Sequence, residues 1–491
     1  MNSKKPNILW ICADQQRHNT ISSLGNKLIK TPALDRLARE GTAFTRAYTQ
    51  CPVCTPSRAC FLTGRYPKTT RVLRNGNEYF PPDEVLVTKI FSDYGYDCGL
   101  VGKLHLSAAE GMVEVRPDDG YRFFEWSEHP HDDWETGHDY QKWLKAKGIN
   151  WDEHYPLGNG RNQASGENAW KAALPPGKGG IEAEYHQAAW AFERAMAFIG
   201  EDRGGKPWLM SINIFDPHPP FDPPLSYRNR IDASKMPLPL WQDGELENKP
   251  LIQMQDYLNG SQGGTGPCCS KKDDMEKRQL VADYYAQIEL IDDQVASMVR
   301  FLEETGQRDN TIILYHSDHG EMLGDHGLYW KGAYVYEQLL HVPMIFSWPG
   351  HIRENLQANA LVELVDIAPT LLELCGFDIP FHMQGKSLEP ILTEKAGPGY
   401  HKDHIYSEYY NAMLGVHDRY ISIYFDGRYK IAVHHNEEPG EFYDLETDPD
   451  EFVNLWDNPS CEKLKLKYMK KCFDSTVMAS MDPKPRVIRY F

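Results

Sequence analysis

The sequence lacks any apolar run long enough to cross a membrane as a helix. Its N-terminus, MNSKKPNILWICADQQ, is apolar only from Ile8 to Ala13, and Asp14 follows at once. A secretory signal needs a longer apolar segment that ends in small residues. We therefore expect this stretch to form a first β-strand, and we expect no membrane partner. The chain as written is expected to be cytoplasmic, or periplasmic or secreted if a leader had been removed.

Positive charge is also scarce, because 70 acidic residues stand against 52 basic ones and the net charge is −18. A surface of this kind repels nucleic acid and anionic lipid, so we expect no nucleic-acid partner. An anionic small substrate would need a local pocket of Arg, Lys and metal.

Ten cysteines in 491 residues are too few for a disulfide framework, and most are expected to be reduced and buried. Cys51 and Cys54 have the C-x-x-C spacing of a redox dithiol or of half a zinc site. The sequence has no second C-x-x-C that would complete a zinc site. Thr55-Pro56-Ser57-Arg58 follows directly, and neither kind of site requires such a segment.

Short apolar runs alternate with helical patterns along most of the chain. The clearest helix is predicted from Lys277 to Thr305, and another begins after Thr31, as its cap, and stops at Gly41. This alternation predicts an α/β fold with a doubly wound, mostly parallel central sheet flanked by helices. The runs that we assign to strands are NILWICA, YDCGLV, PWLMSINIF, TIILYHS and VPMIFSW.

Changes in composition and in the pattern of apolar residues along the chain predict its domains. Residues 1–385 are expected to form the catalytic α/β domain, with loop insertions near 110–185 and 218–270 that are rich in turn-forming residues. Residues 386–491 contain alternating strands and a final helical pattern, and they predict a smaller C-terminal α+β subdomain.

In a doubly wound sheet, ligands bind beyond the carboxyl ends of the strands. Four predicted strands are directly followed by charged, imidazole or amide side chains, and this convergence predicts a site. Carboxylates from distant strands repel each other unless a cation lies between them, so Asp14, Asp318 and His319 are candidate metal ligands. The residues that follow the four strands are Asp14 and Gln15; Lys103 and His105; Asp216 and His218; and Asp318, His319 and Glu321.

The stretch from Cys54 to Arg58 is predicted to begin a helix, where a thiol has a lowered pKa and anions are favoured. These five residues match the C-x-P-S-R signature, and the chain resembles the type I sulfatases of the alkaline phosphatase superfamily. Further matching segments are spread over almost the whole chain, apart from the two insertions. They are PNILWICADQQ, TPALDRLAREG, GKLHLS, DPHPPF, SDHGEMLGDHGLYWKG, LVDIAPTLLELCG and FYDLETDPDEFVNL.

The resemblance implies hydrolysis of a sulfate ester by a formylglycine that a maturation enzyme makes from Cys54. In the family the aldehyde hydrates to a diol, one hydroxyl attacks sulfur, and the other allows sulfate to be released. The resemblance also assigns residue roles. Asp14, Gln15, Cys54, Asp318 and His319 would bind one divalent metal ion, and Arg58 would steady the diol. Lys103 and Lys331 would hold sulfate oxygens, His218 would protonate the leaving oxygen or also bind sulfate, and His105 would act as the base.

Two positions depart from the commonest sulfatase pattern, which has Asp where Gln15 stands and Asn where His319 stands. We expect the metal to be Ca²⁺. Mn²⁺ is the alternative, because an imidazole is a softer ligand than an amide oxygen. Gln15 and His319 also resemble the pattern of the phosphonate monoester hydrolases, which use the same formylglycine. Hydrolysis of a phosphonate monoester or phosphodiester is therefore the alternative function.

The substrate is expected to be a sulfated small molecule or oligosaccharide, because aromatic and His-rich insertions suit a sugar. His129 lies in the first insertion and is a candidate for substrate binding. Arg74, with Arg65 and Arg71, could recognise the carboxylate of a uronate, or these three could be ordinary surface charges. An oligomer is compatible with the sequence.

Overall fold

The computed structural model of the chain describes residues 5–109, 113–130, 137–154, 174–413, 416 and 418–482. The strands are β1 (Asn7–Ala13), β2 (Gly41–Phe44), β3 (Ala47–Tyr48), β4 (Asp97–Gly102), β5 (Phe123–Trp126), β6 (Trp208–Ile214), β7 (Thr311–Ser317), β8 (His341–Val342), β9 (Met344–Ser347), β10 (Leu356–Ala358), β11 (Val362–Glu363), β12 (Ile405–Tyr410), β13 (Tyr420–Phe425), β14 (Tyr429–His435) and β15 (Glu441–Asp444). The helices are α1 (Pro32–Arg39), α2 (Cys54–Thr63), α3 (Pro67–Thr70), α4 (Val87–Asp93), α5 (Asp139–Ala146), α6 (Trp151–His154), α7 (Gln187–Ile199), α8 (Leu225–Arg228), α9 (Leu251–Asn259), α10 (Asp274–Glu304), α11 (Glu337–Leu340), α12 (Ile367–Leu374), α13 (Glu389–Leu392) and α14 (Glu462–Ala479).

The central sheet has eight strands in the order β10-β2-β9-β7-β1-β6-β4-β5. All its neighbours pair in parallel except β9, which runs antiparallel to both β2 and β7. A small second sheet has the order β11-β3-β8. The predicted mostly parallel, doubly wound sheet is therefore confirmed.

Strand β1 shows how the sheet is covered on both faces. Leu9 and Ile11 belong to one apolar cluster, which also takes residues of α1, α7 and α10. Trp10 and Cys12 point to the opposite face and belong to a second cluster with residues of α2, α4 and α12. Because both faces are covered, β1 is a continuous apolar run rather than an alternating one.

The longest helix lies where the apolar periodicity of the sequence predicts it. It was predicted over residues 277–305 and is α10, with a capping box between Asp273 and Glu276 at its start. Thr31 occupies the cap position of α1 as predicted, but its side chain accepts no hydrogen bond from the backbone of the first turn. Instead Asp292 of α10 accepts hydrogen bonds from the backbone N–H groups of Ala33 and Leu34, at 3.0 and 2.8 Å.

The two predicted loop insertions contain more regular structure than expected. The first contributes β5, which pairs in parallel with β4, and the helices α5 and α6. The second contains α8 and α9. Residues 155–173 of the first insertion lie outside the described part of the chain.

The C-terminal region has an antiparallel four-stranded sheet, in the order β12-β13-β14-β15, with α14 packed against it. The predicted smaller α+β subdomain is thus present as an antiparallel sheet and a helix, while its boundary at residue 386 stays a prediction. The other face of this sheet shares an apolar cluster with Tyr48 and Val53, which precede α2. No helix among the described residues is long and apolar enough to cross a membrane.

Candidate active site

Two neighbouring strands end side by side and place two acidic residues together. β1 and β7 pair in parallel with Ala13 opposite Ser317, so the residues that follow them lie at the same edge of the sheet. Four buried residues there have potential ligand atoms that all lie within 4.8 Å of one another. They are Asp14, Cys54, Asp318 and His319.

The geometry of His319 suits metal binding. Its Nδ1 lies 2.8 Å from the carbonyl oxygen of Gly320, which turns Nε2 towards the cluster. Nε2 is 3.1 Å from Cys54 Sγ and 3.9 Å from Asp318 Oδ1. Burial lowers the pKa of His319, but Asp318 and Cys54 together outweigh burial, so the pKa is raised overall. Two carboxylates, an imidazole and residue 54 form a donor set that fits a divalent cation.

Gln15 was predicted as a further ligand, and the structure places it at the edge of the cluster. Its backbone N–H donates to Asp318 Oδ1 at 3.0 Å. Its side-chain oxygen accepts from Lys331 Nζ at 2.7 Å, and its side-chain nitrogen donates to Glu321. Gln15 thus links Lys331 to the acidic cluster, and its role as a metal ligand stays a prediction.

Cys54 is the first residue of α2, a helix in which every residue is buried. Burial and the charge of Asp14 raise the pKa of the Cys54 thiol, but Lys103, Lys331 and His319 outweigh them and lower it overall. Cys51 is buried as well, but it lies in a different electrostatic environment. Its side chain packs in an apolar cluster with Val53, and burial raises its pKa well above the usual value. The two thiols of the C-x-x-C spacing therefore lie in opposite environments.

Arg58 lies one helical turn after Cys54 and holds the acidic cluster together. Its guanidinium is 3.2 Å from Asp14 Oδ2 and 2.9 Å from Asp318 Oδ2, and it donates to the carbonyl oxygen of Lys103 at 3.0 Å. The side chains of Arg58, Asp14 and Asp318 are all completely buried. Arg58 therefore offsets part of the repulsion between the two carboxylates.

Two lysines lie next to the cluster. Lys103 Nζ donates to Asp14 Oδ2 at 2.7 Å, and Lys331 Nζ contacts Gln15 as described. The backbone just before Lys103 requires a glycine at position 102. It has φ +102°, and a Cβ there would lie 2.0 Å from the carbonyl oxygen of Asn213. Burial raises the pKa of Asp14, but Lys103, His218, Arg58 and Lys331 together hold that pKa well below its usual value.

His218 follows β6 and is nine-tenths buried. Its Nδ1 lies 2.7 Å from the carbonyl oxygen of Pro219, which leaves Nε2 as the nitrogen available to a ligand. Burial, followed by the charge of Lys331, holds the pKa of His218 well below 6.5. His129 lies edge-on to His218, with 5.3 Å between the ring centroids.

His105 has φ +55° and is fixed by two glutamates that the sequence reasoning missed. Glu114 Oε2 accepts from its backbone N–H at 2.6 Å, and Glu128 Oε1 lies 3.4 Å from its Nε2. Burial, followed by the charges of Lys103 and Arg58, holds the pKa of His105 well below 6.5. Glu128 follows β5, so recognising that strand within the first insertion would have pointed to it.

These groups surround a cavity of about 240 Å³. Of the predicted site residues, Arg74 is exposed and does not line the cavity, although its neighbour Asn75 does. Arg65 is taken up by ion pairs with Glu84 and Asp482. The cavity is lined by Gln15, Cys54, Asn75, Lys103, His105, His129, His218, Pro219, Gln262, Trp330, Lys331 and Met413. Asn75, Gln262, Trp330 and Met413 were missed, because they come from loops with no local signal in the sequence.

Comparison with known families gives two matches. The family model described as Sulfatase matches residues 6–377. The model described as the C-terminal part of N-sulphoglucosamine sulphohydrolase matches residues 324–477.

Several characterised relatives match nearly the whole chain. The multifunctional alkaline phosphatase superfamily protein PehA of Trinickia caryophylli is 30% identical, over 95% of this chain and 94% of its own length. An arylsulfatase of Clostridium perfringens is 29% identical, over 95% and 93%. An N-acetylglucosamine-6-O-sulfatase of Bacteroides thetaiotaomicron is 27% identical, over 98% and 88%. Among solved structures, a phosphonate monoester hydrolase of Agrobacterium radiobacter superposes with a TM-score of 0.79 at 25% identity, covering 97% of this chain and 96% of that one.

Proposed function

This chain belongs to the sulfatase family of sulfuric ester hydrolases, and we propose that it hydrolyses a sulfate ester carried by a carbohydrate. The nucleophile would be a formylglycine formed from Cys54. The observation that supports this most directly is the position of Cys54 at the start of α2. There its Sγ lies 3.1 Å from His319 Nε2 and 3.7 Å from Asp14 Oδ1, inside the acidic cluster.

Asp14, Asp318, His319 and residue 54 would hold the divalent cation, with Gln15 as a further ligand. When bound, such a cation supplies positive charge that polarises an oxygen nucleophile at residue 54. We propose Ca²⁺ because carboxylate oxygens dominate the donor set, with Mn²⁺ as the alternative because His319 contributes a nitrogen.

Lys103 and Lys331 would bind the sulfate group. A sulfate ester resists attack because its oxygens repel nucleophiles, so a catalyst must neutralise their charge. Lys103 and Lys331 both line the cavity and carry fixed positive charge towards it. Each such group contributes about 2.7–4 kcal/mol to transition-state stabilisation, the range measured for a single oxyanion donor. Arg58 forms ion pairs with both Asp14 and Asp318 in the acidic cluster.

The two imidazoles would move protons. His218 Nε2 is the free nitrogen of a ring whose other nitrogen faces the carbonyl oxygen of Pro219, and it would protonate the leaving oxygen. His105, which also lines the cavity, is the candidate base. Separate acid and base groups suit successive departure and release steps.

Maturation of Cys54 would require access that the folded protein does not offer. Cys54 is completely buried, and so is each of the other residues of α2. We therefore propose that a formylglycine-generating enzyme acts on this segment before the chain folds around it.

The cavity mouth suits a sugar better than a bare anion. Trp330 and His129 offer rings, while Asn75 and Gln262 offer amide groups for hydroxyls. The N-acetylglucosamine-6-O-sulfatase among the relatives is consistent with a carbohydrate substrate. Arg74 is exposed beside Asn75, and we propose that it binds a uronate carboxylate when the substrate carries one.

A second candidate is hydrolysis of a phosphonate monoester or phosphodiester. Gln15 and His319 favour it, and so does the structural likeness to a phosphonate monoester hydrolase. A sulfate ester and a phosphodiester both carry one negative charge on a tetrahedral centre. They differ because the sulfate ester has three non-bridging oxygens, whereas the diester has two and a second bulky substituent.

The test compares matched aryl probes on the purified, matured protein. 4-Nitrophenyl sulfate and bis(4-nitrophenyl) phosphate release the same leaving group, so their kcat/KM ratio reports the preferred centre. We expect the sulfate to be favoured, and sulfated monosaccharides to release sulfate. A large excess of diester activity would replace the first function with the second. The Cys54→Ala variant should lose at least about 10³-fold in kcat on both probes, as removal of a nucleophile does.

A further inference from the structure

The end of β5 brings a carboxylate to the site that none of the roles above uses. Glu128 follows β5 by two residues and is only 4% exposed. Its Oε1 lies 3.4 Å from His105 Nε2, 3.6 Å from Lys103 Nζ and 3.8 Å from His129 Nδ1. Its backbone is fixed as well, because Gln187 Nε2 donates to its carbonyl oxygen at 2.8 Å. A buried carboxylate is thus held against three nitrogen-bearing side chains of the cavity wall.

The contact with His105 distinguishes the two ring nitrogens. A lone pair on Nε2 would face the negative Oε1, so the proton of a neutral ring belongs on Nε2. His105 Nδ1 is buried and has no hydrogen-bond partner among the described residues. A buried nitrogen without a partner is costly, and such atoms call for a functional explanation. In this arrangement Nδ1 carries the free lone pair of the ring.

Glu114 can be compared with Glu128, because it contacts the backbone of His105 rather than its ring. Its two oxygens accept from the backbone N–H groups of His105 and Leu106, at 2.6 and 2.9 Å. It also accepts from Trp126 Nε1 at 3.0 Å. These bonds hold the loop without contacting the imidazole. Glu114 therefore shapes the backbone, whereas Glu128 faces the ring.

We propose that Glu128 is a positioning residue of the hydrolytic site, which fixes His105 as the Nε2–H tautomer and stabilises its imidazolium. This rests on the proposed hydrolysis. When an O–H bond of a hydroxyl in the cavity breaks, the proton forms an N–H bond at Nδ1. The ring becomes imidazolium, and its charge is balanced by Glu128 until Nδ1 returns the proton to water. The other charged or titratable groups facing His105 are Lys103, Arg58, Asp14 and His129.

Three variants of the matured protein separate this role from a structural one. Glu128→Gln keeps the size but removes the charge, and Glu128→Asp keeps the charge. Glu114→Gln is the matched control, since it alters the same loop without touching the ring. We expect Glu128→Gln to lower kcat about 10- to 100-fold, as loss of a group that orients a reactive imidazole does. KM should stay within about twofold, because Lys103 keeps its contact with Asp14.

The pH profile of activity should change in the Glu128 variants and stay unchanged in Glu114→Gln. Without its carboxylate the imidazolium is less stable, so the acidic limb of the kcat profile should move to lower pH in Glu128→Gln. Glu128→Asp should recover part of kcat and part of the shift. Glu114→Gln should lower the melting temperature and leave the limb in place. A loss of kcat with an unmoved limb in Glu128→Gln, or the same shift in Glu114→Gln, would overturn the proposal.

A second measurement does not depend on activity. In ¹⁵N-histidine-labelled Cys54→Ala protein, the His105 signals are those that disappear on adding His105→Gln. We expect the shifts of an Nε2–H tautomer, and a mixture of tautomers once Glu128→Gln is added. An Nδ1–H tautomer in the parent, or no change on adding Glu128→Gln, overturns the proposal. Failure of the matured parent to hydrolyse any sulfate ester would reject the proposed function instead.

Discussion

The floor and the mouth of the cavity are built in different ways. The floor is the cluster around Cys54, which itself lines the cavity. It consists of Asp14, Cys54, Arg58, Asp318 and His319, which come from two strand ends and the first turns of α2 and are completely buried. The mouth consists of Asn75, His129, Gln262, Trp330 and Met413, which come from loops between distant elements. The floor is held by ion pairs and hydrogen bonds among its own members. It supplies the reaction, while the mouth is free to determine which substrate enters.

This difference has an energetic side. Two buried carboxylates in the floor share one guanidinium, and only Asp14 has Lys103 as a further partner, so a change at Arg58 affects folding and catalysis together. A change in the mouth removes contacts with a ligand and leaves the charges of the floor in place. Substitutions should therefore fall into two groups.

The largest effect is expected for Arg58→Met, which leaves Asp318 without its guanidinium partner and Asp14 with Lys103 alone. The free energy of unfolding should fall by about 3–5 kcal/mol, the cost of breaking a buried ion pair. Urea denaturation in metal-free buffer measures it. Arg36→Met is the control, because Arg36 is a partly exposed partner of Glu40 and should cost less than about 1 kcal/mol. Similar losses for both variants would contradict the account of the floor.

Lys331→Ala should act on the reaction more than on folding. It removes a positive charge that faces the cavity, and kcat/KM for 4-nitrophenyl sulfate should fall about 10²- to 10³-fold. Steady-state kinetics with a parallel melting curve check this. Lys395→Ala, at an exposed lysine paired with Glu389, should match the parent enzyme in both measurements. A loss of stability equal to that of Arg58→Met would place Lys331 in the scaffold instead.

His218 predicts a pH dependence that varies with the leaving group. Burial and Lys331 hold its pKa well below 6.5, so the ring is neutral at neutral pH, with its proton on Nδ1 facing Pro219. Only the acidic form carries a proton on Nε2 for the leaving oxygen. Hence kcat for a sulfated sugar should rise as pH falls, while kcat for 4-nitrophenyl sulfate should change less.

Profiles of kcat between about pH 5 and 8, where histidine charge usually changes, measure this difference. His218→Asn should abolish the difference between the two substrates, with a loss of about 10²-fold on the sugar, the lower end for general acid catalysis. Parallel profiles in the parent enzyme would show that His218 does not protonate the leaving group.

The smallest effect is expected in the mouth. Trp330→Ala should raise KM for a sulfated sugar about 5- to 10-fold through lost ring contacts, with kcat nearly unchanged. Trp241→Ala is the matched control, because Trp241 stacks on Tyr257 and does not line the cavity. A fall in kcat rather than a rise in KM would show that the mouth and the floor are not separate.

The same division explains what the sequence could predict. Asp14 and Asp318 follow continuous apolar strands, so the pattern placed them at one edge of the sheet, and Cys54 was correctly expected to begin a helix. Glu128 was missed because β5 is short and lies in a segment that reads as loop. Asp292 was missed as the cap of α1, because only tertiary packing brings α10 to that helix. Local periodicity encodes the strand ends, whereas contacts between distant loops leave no local signal.

The mass of the peptide that carries residue 54 tests the central claim most directly. The protein should be produced with a formylglycine-generating enzyme, shown to release sulfate, and then digested for mass spectrometry. The account predicts an aldehyde at residue 54 in place of the thiol, with Cys51 still a free thiol. A disulfide between Cys51 and Cys54, or an unmodified Cys54 in a fully active sample, would contradict it.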